Sequence, residues 1–160
     1  MFRTSLAGLL ALFAAGAAHG DTGTLSLLTG GAWECRSVSL AGDPDSDVSL
    51  DYSADGSAGI VFRLQVPLDQ DLLEVLFEMT ARWTLADQVI TTTAETFNML
   101  GAWMNDEPLE DEAMSEMAAA LETEMASFSG ENEIAYLSEH AMVLSEPEAS
   151  ISCWRSPEAG

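Results

Sequence analysis

The sequence predicts a mainly β protein: an antiparallel barrel of about eight strands, with one amphipathic helix inserted before the last three. Three observations carry this expectation. The two cysteines sit near the two ends of the chain, in the fragments Gly31-Ala32-Trp33-Glu34-Cys35 and Ser152-Cys153-Trp154-Arg155. From Leu73 to Leu85 every second residue is apolar, the period of a half-buried strand. Between Pro108 and Ser129 that period gives way to apolar residues three to five apart, as on one face of a helix.

In chain order, Met1–Gly20 comes first. Arg3 precedes an uncharged apolar stretch from Leu6 to Ala18, and Ala18-His19-Gly20 provides small residues before Asp21. This is the pattern of a secretory signal peptide. The stretch is shorter than the roughly 20 residues a membrane span needs, so no membrane anchor is expected. Residues 21–160 then form one domain, periplasmic or secreted.

Two cysteines in an exported chain have one intramolecular pairing, Cys35 with Cys153. In an antiparallel pair, facing residues share a constant index sum. The register that opposes Cys35 to Cys153 also opposes Trp33 to Arg155. One face of two neighbouring strands would then carry a disulfide and a tryptophan–arginine stack. First and last strands paired in this way close the sheet and remove its edges.

The intervening segments are assigned as follows. Residues 32–40 form the first strand, and Gly42-Asp43-Pro44-Asp45 forms a loop. Val48–Ser53 and Gly59–Val66 flank Asp55-Gly56, a hairpin signal, with Pro67 expected to stop the run. Leu73–Leu85 is the long strand, Ala86-Asp87-Gln88 turns, and threonine-rich Val89–Asn98 returns. Asn105-Asp106-Glu107-Pro108 is read as a helix start, and Gly130 as the stop. The helix stripe is Leu109, Met114, Met117, Leu121, Met125 and Phe128. Asn132–Leu137, Ala141–Ser145 and Ala149–Arg155 complete the strands.

Charge narrows the function classes. The chain of 160 residues has 27 acids, five arginines and no lysine, for a net charge of −22. Such a surface repels phosphate backbones and anionic lipid, so no nucleic-acid partner is expected. It fits salty surroundings, and it also suits a basic protein partner.

The pattern resembles lipocalins and related calycins. Gly31-Ala32-Trp33 matches their Gly-x-Trp motif on the first strand, and Arg155 stands where an arginine of the last strand packs over that tryptophan. The order of segments is similar to small lipocalin-like proteins of bacterial periplasms, where a Tyr-x-x-Asp-Gly hairpin, here Tyr52 to Gly56, follows the first strand. Two features depart from the family: the helix interrupts the strands instead of following them, and Cys35–Cys153 is not a general lipocalin feature. The resemblance implies a domain able to bind small apolar molecules. Fold alone does not determine this.

Inward-facing Phe62, Leu64, Phe77, Met79 and Trp83 are the residues expected to line a ligand cavity, or else to fill a core. Cys35, Cys153, Trp33 and Arg155 are the structural set. Catalysis has little support: His140 lies in a turn beside Glu139, and no Gly-x-Ser-x-Gly motif or phosphate-binding loop occurs. Asp43, Asp45, Asp47 and Asp51 have the spacing that begins an EF-hand loop. Val48 occupies the glycine position, however, and Ala54 the closing glutamate position. An acidic turn is the better reading, and no metal or cofactor is expected. The sequence therefore supports an exported non-catalytic binding protein carrying a small apolar ligand. Its alternative is an acidic interaction module, an inhibitor or envelope chaperone, with a filled barrel.

Overall fold

A computed structural model of the protein describes residues 22–39, 45–145 and 149–155. The expected signal peptide Met1–Gly20, the expected loop at Gly42 to Pro44 and the expected turn at Pro147 lie outside them. The strands are β1 (Trp33–Ser39), β2 (Asp45–Tyr52), β3 (Ser57–Leu68), β4 (Asp71–Ala86), β5 (Val89–Met104), β6 (Glu107–Pro108), β7 (Ser129–Leu137), β8 (Ala141–Ser145) and β9 (Ala149–Trp154). Helix α1 (Thr22–Leu28) precedes β1, and α2 (Asp111–Met125) lies between β6 and β7.

All pairings are antiparallel. The order runs β4-β3-β2-β1-β9-β8-β7-β5, and β4 pairs with β5 to close the ring. Eight strands thus form a closed barrel, with the two-residue β6 hanging on β5. The seam has the register expected from the sequence. Cys35 faces Cys153 and Glu34 faces Trp154, and a disulfide joins Cys35 to Cys153. The Arg155 guanidinium lies 3.7 Å from the centre of the Trp33 ring.

Inward residues of β4, from Val75 through Leu85, are buried at every second position while the intervening ones are exposed or half-buried. The apolar alternation is therefore what chooses the register. The walls differ in height: β4 and β5 have 16 residues each, whereas β8 has five and β9 six. The β3–β5 wall stands above the rest. Its upper inner face carries Leu64, Leu73, Val75, Phe77, Phe97 and Met99, and the stripe of α2 packs on it. The helix covers one end of the barrel. At the other end Leu28 of α1 enters the main core.

Several boundaries differ from expectation, four of them toward the α2 end. Pro67 does not stop β3, which runs to Leu68. Pro67 pairs with Leu72 of β4 one residue before the strand ends, a strand-end position where a missing N–H is tolerated. Strand β5 continues past Asn98 to Met104 because two register shifts against β4 absorb Glu95 and Leu100 as extra residues. Such bulges bend a strand and let it wrap a barrel. Asn105-Asp106 is a hairpin turn and not a helix start. Both residues have positive φ, 52° and 68°, which asparagine and aspartate tolerate. Finally, α2 begins at Asp111 and ends at Met125, and Gly130 belongs to β7.

Candidate ligand site within the barrel

Inward side chains of β2, β3, β5, β7, β8 and β9 line a partly open cavity of about 100 Å³. Its walls are Val48, Leu50, Ile60, Phe62, Leu144 and Ile151, and Phe128 stands over it. Phe128 is 37% exposed and so faces both cavity and solvent, at the mouth. It lies three residues past the end of α2. Its carbonyl accepts a hydrogen bond from the Ala94 amide, and its own amide donates to Met125, which ties the end of the helix to β5.

Gly130, two residues on, is also part of the lining. Alternation places it on the inward face of β7, opposite buried Thr92. A Cβ there would come within 3.3 Å of the Phe128 ring. The missing side chain is therefore what admits Phe128 and leaves space below it.

Three polar residues line this otherwise apolar space: Tyr52, Thr92 and Asn132. Tyr52 is buried and its ring tilts against Trp83, with centroids 5.0 Å apart. The Trp83 indole N–H donates to the Ser53 carbonyl at 3.0 Å. Burial pushes the Tyr52 phenol up to about 12, opposed in part by a hydrogen bond with Thr92. Asn132 sits beside fully buried Ile90. Among the described residues its Oδ1 is the one buried side-chain polar atom with no partner in the protein.

Of the five residues expected to line a cavity, Phe62 does so. Its ring stacks on Phe77 at 4.8 Å, and Phe77 tilts against Phe97 at 5.1 Å. Leu64 and Phe77 lie beneath α2, while Met79 and Trp83 are packed in the main core. The five do not converge on one space. Tyr52, Thr92, Asn132 and Phe128 went unnoticed as site residues. The available signal was Gly130, an inward glycine in an alternating strand, which marks a close approach or a space.

The opposite end is built around Trp33. Its indole N–H donates to the Leu28 carbonyl at 3.1 Å. That carbonyl also accepts from Arg155 Nη2 at 2.8 Å, and the Gly31 carbonyl accepts from Arg155 Nε at 3.1 Å. The arginine thus stitches α1 to the seam while stacking on Trp33. Partial burial lowers its pKa, and the charges of Asp51 and Glu139 oppose that.

The acidic run Asp45–Asp51 is strand β2 and not a loop. Asp47 pairs with Arg36 at 3.2 Å. Among the described residues no group of three or more His, Cys, Asp or Glu is placed to hold a metal. His140 is exposed in the β7–β8 turn. Among the described residues no helix is long and apolar enough to cross a membrane.

No family model and no curated protein sequence matches this chain. A comparison with solved structures finds the crystal structure of a lipocalin-like protein from Bacteroides uniformis. It is 12% identical, with a TM-score of 0.46, over 79% of this chain and 96% of that one. The barrel assignment rests on the strand pairing of the chain itself.

Proposed function

We propose that the protein is an exported, non-catalytic binding protein that takes a small apolar ligand into its barrel past Phe128. The observation that carries this reading is the internal cavity of about 100 Å³ with a half-exposed aromatic at its mouth. An apolar cavity of about 150 Å³ is enough to bind benzene, whereas drug-sized ligands need roughly 300 Å³ or more. The ligand is accordingly small, or it displaces Phe128 as it enters. Export follows from the signal pattern of Met1–Gly20 and is supported by the Cys35–Cys153 disulfide, a bond typical of oxidising compartments. Residues 21–160 would be the released domain.

A second reading is an acidic interaction module that docks a basic protein. Its support is the imbalance of charge. Arg36, Arg63 and Arg82 are each within 4 Å of an acid, and Arg155 is spent on Trp33 and two carbonyls. Among the described residues no ion pair reaches an acid of α2.

Native mass spectrometry of the gently purified, exported protein separates the two. The binding reading expects an oxidised chain starting near Asp21, with an added small mass that activation releases. A bare oxidised chain would remove the carried ligand and leave the interaction module.

A further inference from the structure

We propose that the cavity selects small neutral molecules bearing one hydrogen-bond donor, a hydroxyl or N–H on an apolar body, and that Asn132 reads that donor. This rests on the binding reading above and narrows it to a ligand class.

The polar groups of the cavity are not equivalent. Tyr52 and Thr92 hydrogen-bond to each other. Asn132 Oδ1 is buried and finds no partner in the protein. An amide oxygen can only accept, and a buried acceptor left unpaired is costly enough that folded interiors satisfy nearly all of theirs. The oxygen is closed to water in the resting barrel, so a donor carried in by a ligand would satisfy it as entry moves the lining at the Phe128 mouth aside.

The setting marks a built site. Asn132 and Gly130 are two residues apart and both line the cavity. The glycine leaves room between the mouth residue Phe128 and the amide, room that a Cβ would narrow by pressing on the Phe128 ring. No lining residue carries a charge, so an ionic ligand would lose its hydration without a counter-charge. At about 100 Å³ the body has the size of one small ring.

The test is isothermal titration calorimetry of the disulfide-bonded protein with phenol, toluene and anisole. Phenol and toluene match in shape and differ in the donor; anisole can only accept. Phenol is expected to bind at least about 10-fold more tightly than toluene or anisole, the effect of satisfying one buried acceptor. In Asn132→Leu, phenol should fall to the level of toluene while toluene keeps its affinity. Equal binding of phenol and toluene would overturn the role of Asn132 and leave the cavity reading standing. Anisole binding as tightly as phenol would also overturn it, since the cavity would then be supplying the donor. Failure of all three to bind at millimolar concentration would overturn the cavity reading and this inference with it.

Discussion

At the α1 end Leu28 and Trp33 are fully buried, three hydrogen bonds converge on the Leu28 and Gly31 carbonyls, and the disulfide lies one inward residue above. At the α2 end no helix residue is fully buried and no side chain caps the helix N-terminus. Asp111 and Glu112 in the first turn suit the helix dipole. Glu122 and Glu124 near the last turn oppose it, and no basic residue offsets them. What holds α2 is a half-buried stripe of Met114, Met117, Leu121 and Met125 on the β3–β5 wall. Methionine adapts its shape to what it packs against. One end is therefore a rigid floor and the other a cover that can yield, and the cavity mouth is on the yielding side.

The largest expected effect breaks the floor. The disulfide spans 118 residues of sequence, and closing a loop of that size stabilises the fold by about 4–5 kcal/mol in the chain-entropy model. Replacing both cysteines by alanine should lower the melting temperature by on the order of 10–20 °C. Calorimetric melting of the oxidised protein beside the double variant measures this. An unchanged melting temperature would remove the seam from the account of stability.

A smaller effect is titrated from the same end. The pKa of Tyr52 is raised to about 12, against about 10 for an unfolded tyrosine. The folded chain thus holds this proton more tightly than the unfolded chain does. Stability from this group is complete below pH 10 and is lost as pH climbs through 12, by about 3 kcal/mol in all. Urea unfolding at pH 9 and pH 11.5 should show a drop in midpoint that Tyr52→Phe largely abolishes. A drop of equal size in Tyr52→Phe would place the loss elsewhere.

The rigid end was the legible one. Cys35, Trp33, Cys153 and Arg155 declare their pairing because one register satisfies all four, and β4 is legible because every inward residue is apolar. The upper end hides its geometry. In β5 the extra residues Glu95 and Leu100 shift the alternation twice, so inward Phe97 and Met99 fall out of step with Ile90 and Thr92, and Ala102 returns to their period. Asn105-Asp106-Glu107-Pro108 carries the residue types of both a helix start and a two-residue turn, and the pairing of Met104 with Glu107 decides for the turn. Helix α1 has no acid in its first turn and a glycine within it. Its order comes from the burial of Leu28, a tertiary fact. The cavity is least legible of all, since Tyr52, Thr92 and Asn132 come from three strands and meet only when the barrel closes.

The smallest expected effect falls on the cover. Met117 is half-buried against the upper wall, so Met117→Ala removes only part of the 2–5 kcal/mol that a fully buried methionine contributes, roughly 1 kcal/mol. Melting should shift by about 3 °C. The sharper readout is local. Backbone amides of α2 should exchange with deuterium faster than in the parent protein, while those of β1 and β9 keep their protection, because the helix can lift without opening the seam. Equal acceleration in β1 and β9 would mean that cover and floor unfold as one unit. The contrast between the two ends would then be one of packing density alone, and entry past Phe128 would require opening the whole barrel.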